Sequence, residues 1–257
     1  MSIEFSQQEH IGTIAFNRPP ANAYDEEMLV AFTHHIHAVA KDPDVRVVII
    51  KSNNPKFFCT GADISSLQNA TAASFANFLT VAQESLDAIN RTPKLFIAAI
   101  NGHCIGGGLE IALACDFRIG SEGKYRLGLA EVNLGLSPGM GGTQRLPRLI
   151  PKSKALKMMV TGESILPDEA FQLGLFDELV PAEEFENTVH HFAQKLANGP
   201  TMAQGYIKLS VNHGLETSLA QGLAIERAHQ NQLFRSNDVA EGIKAFLEKR
   251  PAQFKGN

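Results

Sequence analysis

Leu95-Phe-Ile-Ala-Ala-Ile100, Asn101-Gly-His-Cys-Ile-Gly106-Gly107-Gly108-Leu-Glu110, Ile111-Ala-Leu-Ala-Cys-Asp116 is the stretch on which the fold turns. Six apolar residues in a row read as a buried strand. The glycines let the backbone turn sharply and let a ligand approach main-chain N–H groups. The apolar run after them reads as a short helix. The first N–H groups of a helix have no partner within it, and the helix dipole places partial positive charge beside them. The junction can therefore hold an oxygen carrying negative charge, and Glu110 follows in the first turn. A dinucleotide-binding reading of the glycines is weak, because Gly106-Gly-Gly108-Leu-Glu-Ile111 does not complete G-x-G-x-x-G.

A second strand–glycine–helix junction precedes it. Phe57-Phe-Cys59 is extended, Thr60-Gly61-Ala62-Asp63 follows, and Asp63 is placed to cap the turn Ile64–Leu67. Upstream, residues 2–17 predict two short strands around a turn. Arg18-Pro-Pro20-Ala-Asn22-Ala is a loop, because adjacent prolines forbid helix and central strand. Asp25 caps a helix carrying Met28, Leu29, Phe32, Ile36 and Val39 at helical spacing, and Val47–Ile50 is a buried strand. Residues 72–90 predict a long amphipathic helix with Phe75, Phe78, Leu79, Ala82, Leu86 and Ile89 on one face. Downstream, Phe117–Ile119, Tyr125–Arg126 and Leu175–Val180 read as strands. Helices are expected from about Thr143 to Thr161, over 167–173, and almost without break from Ala182.

Alternating strands and helices over residues 1–180 give an α/β class. The strand-free end suggests a helical extension whose Ile243, Phe246 and Leu247 need the core or another subunit to pack against. Two parts are expected: a core carrying the site over residues 1–195 and a helical region over 196–257.

With 257 residues, 44% of them hydrophobic, the chain can bury a sizeable core. A net charge of −4 without a long basic run argues against nucleic acid or an anionic membrane as partner. Cys59, Cys104 and Cys115 form no CxxC pair and read as reduced, buried thiols. No basic leader and no membrane-length apolar run are visible, so a cytoplasmic protein is expected. His34, His35 and His37, like His190 and His191, read as solvated helix faces rather than a metal site. No metal is expected.

The chemistry follows from the junctions. Two backbone N–H groups stabilise charge that appears on a carbonyl oxygen, and Ala62 and Gly107 are the candidates. Two carboxylates in one dry pocket repel, so one is pushed to keep its proton and acid and base work can be divided. Glu110 is one candidate. Glu131 alone could be a surface glutamate, but Leu127, Leu129 and Leu134 around it favour a pocket wall.

Thr60-Gly-Ala-Asp63, Asn101-Gly-x-x-x-Gly-Gly-Gly-x-Glu110, Leu127-Gly-x-x-Glu131 and Pro138-Gly-x-Gly-Gly-Thr-Gln-Arg145 together resemble the enoyl-CoA hydratase/isomerase (crotonase) family. The resemblance runs from Asn17-Arg-Pro to Glu248-Lys-Arg250. It implies a spiral of ββα units with C-terminal helices that form trimers or dimers of trimers. It implies an acyl-CoA thioester substrate, as in fatty-acid β-oxidation, with CoA as part of the substrate and no separate cofactor. The carbonyl oxygen would lie between the N–H groups of Ala62 and Gly107. Glu110 would help water attack C3 of a trans-2-enoyl-CoA, and the α-carbon would receive a proton from the Glu131 side. CoA and substrate contacts carried over by the resemblance are Ala21, Lys56, Gly61, Asp63, Ile64, Gly106, Phe246 and Lys249, the last two reaching a neighbouring subunit. A Δ3,Δ2-enoyl-CoA isomerase, which needs mainly Glu131, and a non-catalytic acyl-CoA- or RNA-binding relative are the alternatives.

Overall fold

The computed structural model describes residues 2–257; Met1, the first residue of the expected core, lies outside them. The strands are β1 (Ile3–Gln8), β2 (Ile11–Phe16), β3 (Val47–Ser52), β4 (Phe57–Cys59), β5 (Leu95–Ile100), β6 (His103–Ile105), β7 (Phe117–Ser121), β8 (Leu127–Gly128), β9 (Ser164–Ile165) and β10 (Glu178–Val180). One sheet has the order β1-β2-β3-β5-β7-β10, parallel except for β1; the other is β4-β6-β8-β9, parallel except for β9. Three times in succession a strand of the larger sheet is followed by one of the smaller: β3 by β4, β5 by β6, β7 by β8. Helical turns follow each pair, so the chain climbs as the expected spiral of ββα units.

The helices are α1 (Glu26–Lys41), α2 (Ile64–Leu67), α3 (Ala72–Arg91), α4 (Gly107–Ala114), α5 (Gly142–Leu149), α6 (Lys152–Thr161), α7 (Pro167–Gln172), α8 (Phe185–Ala197), α9 (Thr201–Leu215), α10 (Leu219–Leu233) and α11 (Asn237–Leu247). Asp25 caps α1 by accepting from the Met28 N–H, and Met28, Leu29, Phe32, Ile36 and Val39 are its buried face, as their spacing predicts.

Both faces of the larger sheet are covered, which explains its near-continuous apolar strands. Along β3 and β5, Val48, Ile50, Phe96, Ala98 and Ile100 enter the main core, whereas Val47, Ile49, Ile97 and Ala99 pack under α8. Successive side chains thus alternate between two cores. Position 195 falls inside α8, which continues to Ala197 against that second core. The helices that follow are tied down through Lys208 of α9. Its buried ammonium donates to Ile89 O, Lys94 O and the Asp116 carboxylate at 2.7–2.9 Å.

Three expectations are corrected. β6 intervenes between the buried strand and the glycines; three residues are too short to show a period. The strand placed at Tyr125–Arg126 starts at Leu127, because Tyr125 is a buried plug whose hydroxyl donates to Ile100 O and Ser121 O. The strand placed at Leu175–Val180 is only Glu178–Val180: the Leu175 N–H bonds back to Ala170 O and closes the end of α7.

Candidate active site

Helix α4 starts at Gly107, behind Gly106 at φ 56°, and no side chain caps it. All eight of its residues are buried. Packing requires the bare glycines: a methyl on Gly108 would overlap the Cys59 carbonyl, and one on Gly107 would overlap the Tyr24 hydroxyl. Gly61, at φ +87°, brings the other junction alongside, since a Cβ built on it would lie 3.1 Å from the Gly107 nitrogen. Tyr24 clamps Ala62 from outside: its N–H donates to Gly61 O (2.9 Å) and its carbonyl accepts from the Asp63 N–H (2.8 Å). Among the described residues, neither the Ala62 nor the Gly107 N–H donates to a protein acceptor. Two free donors therefore stand at abutting junctions.

Glu110 is 2% exposed. Its Oε1 accepts from the N–H groups of Met140 (2.8 Å) and Gly142 (2.7 Å). Burial pushes its carboxyl up to about 7, and the negative charge of Glu131 adds to that. The Gly142 and Met140 N–H groups and the Arg145 guanidinium pull the other way. Glu131 opens the 3-10 turn Glu131–Leu134. Its Oε2 is buried with no hydrogen-bond partner, and its Oε1 lies 3.1 Å from where a Gly106 Cβ would be. Burial raises its pKa also. Both carboxylates thus reach the start of α4, one held by two donors and one with a free oxygen.

Other expected residues sit differently. The Asp63 carboxylate accepts from the Ser65 N–H and hydroxyl and from Arg18, whose guanidinium also grips Asp25. It joins the starts of α1 and α2. Ala21 lies on the 18–25 loop, its carbonyl accepting from Thr60 Oγ1. Lys56 and Ile64 are exposed. Phe246 is 83% exposed and Lys249 is exposed just beyond α11, so within one chain neither is brought to the glutamates. The three cysteines are buried and free. Burial pushes Cys59 and Cys115 to about 12 and raises Cys104, far from the range of a reactive thiolate.

Sequence reading gave no role to Tyr24, Met140, Gly142 or Arg145, which surround Glu110. The run Pro138–Arg145 flags three of them; nothing local flags Tyr24.

A family model for enoyl-CoA hydratase/isomerase matches residues 6–257. The chain is 37% identical over 254 residues to a crotonyl-CoA hydratase of Syntrophomonas wolfei, covering 98% of this chain and 97% of that one. It is 35% identical to an (E)-benzylidenesuccinyl-CoA hydratase of Thauera aromatica, with 100% of each covered. A crystal structure of an enoyl-CoA hydratase from Geobacillus kaustophilus superposes with a TM-score of 0.97 at 42% identity, over 100% of this chain and 97% of that one.

Proposed function

The chain belongs to the enoyl-CoA hydratase/isomerase family, and on that premise we propose that its two junctions and two glutamates hydrate a trans-2-enoyl-CoA to a 3-hydroxyacyl-CoA. The observation that carries this reading is the buried Glu110 carboxylate together with the half-buried Glu131, whose Oε2 is buried and unpartnered, at the mouth of an uncapped helix whose first N–H is free. The thioester oxygen would accept from the N–H groups of Ala62 and Gly107. Charge moves onto that oxygen as the enolate forms, so these bonds strengthen in the transition state and lower the barrier.

Glu110, with its carboxyl near 7, is matched to accept a proton from water at neutral pH. The resulting hydroxide equivalent adds to C3. The enolate then takes a proton at C2 from the Glu131 side, and collapse of the enolate gives the product. Proton exchange through water resets the two carboxyls. CoA enters only as part of the substrate, and the two N–H donors do the polarising that a Lewis acid would otherwise supply.

The relatives carry names of a short and an aryl-bearing enoyl substrate, so the test is a panel. Purified protein is mixed with crotonyl-, octenoyl- and cinnamoyl-CoA while loss of the conjugated enoyl absorbance is followed. Turnover of at least one is expected. No loss with any overturns the hydratase reading. The exposed Leu215, Leu219, Phe234, Phe246 and Leu247, each more than 70% exposed, support trimers or dimers of trimers; a stable monomer by light scattering contradicts that. Among the described residues no helix is long and apolar enough to cross a membrane, which is consistent with the cytoplasmic placement proposed here.

A further inference from the structure

Tyr24 is a polar side chain at the site that the chemistry above leaves unused. It is 4% exposed, and its ring stacks on Phe78 of α3 at 6.1 Å between centroids. Its hydroxyl donates to the Met140 sulfur at 2.8 Å. Met140 in turn gives its N–H to Glu110.

The segment 138–142 is the cradle of Glu110, and three side chains from three different parts of the chain hold it. Gln83 Nε2 donates to the Gly139 carbonyl (2.6 Å), Arg145 Nη1 to the Met140 carbonyl (2.8 Å), and Tyr24 to the Met140 side chain. Gln83 is exposed, so its bond forms in competition with water. Tyr24 is buried and fixes an otherwise flexible thioether. Both cradle N–H groups land on the same carboxylate oxygen, Oε1, leaving Oε2 for the proton that the reaction moves. We propose that Tyr24 is a positioning residue for Glu110, acting through Met140 to hold the 138–142 cradle in register with the carboxylate. This rests on the general-base reading of Glu110 given above.

The consequence has a sign. The groups facing Glu110 are Glu131 and Tyr24, Arg145 with Asp87 behind it, and the two cradle N–H groups. The N–H groups favour the ionised carboxylate. Removing the tyrosine hydroxyl loosens Met140, weakens those bonds, and moves the Glu110 carboxyl to higher pH. A base that must be ionised to act then works only at higher pH.

The test compares Tyr24→Phe, Met140→Leu and the double variant. Two readouts are taken: kcat and KM for the best enoyl-CoA of the panel across pH, and infrared titration of the Glu110 carboxyl, identified by its disappearance in Glu110→Gln. For Tyr24→Phe at pH 7, kcat is expected to fall roughly three- to tenfold with KM within about twofold, and the acid limb to move up by about half a unit or more. Met140→Leu should do the same. The double variant should be no worse than either single one, because one contact is removed. A role in stability alone would lower Tm without moving the carboxyl midpoint. The proposal is overturned by an unmoved midpoint, by a rise in KM with kcat intact, or by additive losses in the double variant. If Tyr24→Phe does not fold, Met140→Leu decides the question by the same readouts. If the wild type hydrates nothing in the panel, the hydratase reading fails, and the infrared midpoints still decide the tyrosine's part.

Discussion

The two strand–glycine–helix junctions look alike in sequence and finish differently. At the first, Asp63 caps α2 with its own carboxylate, accepting from the Ser65 N–H at 3.1 Å, and none of the four residues of α2 is buried. At the second, no side chain caps α4, and all eight residues are buried. The capped, exposed helix start ties the Ser65 and Ser66 N–H groups to Asp63 and leaves the Ala62 N–H free. The uncapped, buried start turns the Leu109 and Glu110 N–H groups back to Gly106 O and leaves the Gly107 N–H free in a place where charge is worth most. In the proposed mechanism the first junction would contribute one donor, and the second a donor and a carboxylate.

The sharpest way to break this contrast is to neutralise the carboxylates. Glu110→Gln and Glu131→Gln should each lower kcat by about 10²- to 10⁴-fold while binding of butyryl-CoA, a saturated analogue, stays within a few-fold. Near-normal kcat in either variant would show the acid–base assignment to be wrong. Next is Gly107→Ala, whose methyl would overlap the Tyr24 hydroxyl and displace the donor. A loss of about 10²- to 10³-fold in kcat/KM is expected, as for removal of an oxyanion donor. Wild-type kinetics would mean that this N–H is idle.

The uncapped junction should also carry a stability cost, visible without substrate. Burial takes the Glu110 carboxyl from its ordinary value of 4.5 up to about 7 on folding. A raised carboxyl contributes stability below 4.5 that is lost as pH rises through 7, amounting to about 3 kcal/mol at 1.36 kcal/mol per unit. Glu110→Gln should therefore raise Tm at pH 8 and leave it nearly unchanged at pH 4.5, by calorimetry; a lower Tm at pH 8 would contradict the burial argument. At the capped junction the effect should be small and of a different kind. Asp63→Ala removes a cap and the Arg18 contact, costs about 1 kcal/mol in denaturant unfolding, and changes kcat less than about tenfold. A loss as large as that of Glu110→Gln would make the two junctions equivalent.

Much of this fold is legible in the sequence alone. The Asp25 and Asp63 caps, the buried face of α1, the apolar strand at 95–100 and both free N–H positions follow from local rules: a carboxylate ahead of a helix, apolar residues at helical spacing, glycine after a strand. Elements set by distant partners were not legible. Leu175 and Phe176 are as apolar as strand residues, yet Leu175 folds back on Ala170. Tyr125 looks like a strand residue and is a plug. Tyr24 sits in a proline-rich loop with no motif; its meaning comes from pairing with Ala62 and reaching Met140, 116 positions away. Glu131 needed the motif resemblance, because a glutamate among leucines does not announce an unpartnered buried oxygen.

The most direct test of the buried, uncapped junction is the pH dependence of kcat/KM for an enoyl-CoA that the wild type turns over, since that ratio reports groups of the free enzyme. The rate should rise with pH through a midpoint near 7, where burial places the Glu110 carboxyl, and Glu110→Gln should abolish that limb. A midpoint at an ordinary carboxylate value, or a limb that survives in Glu110→Gln, would contradict it.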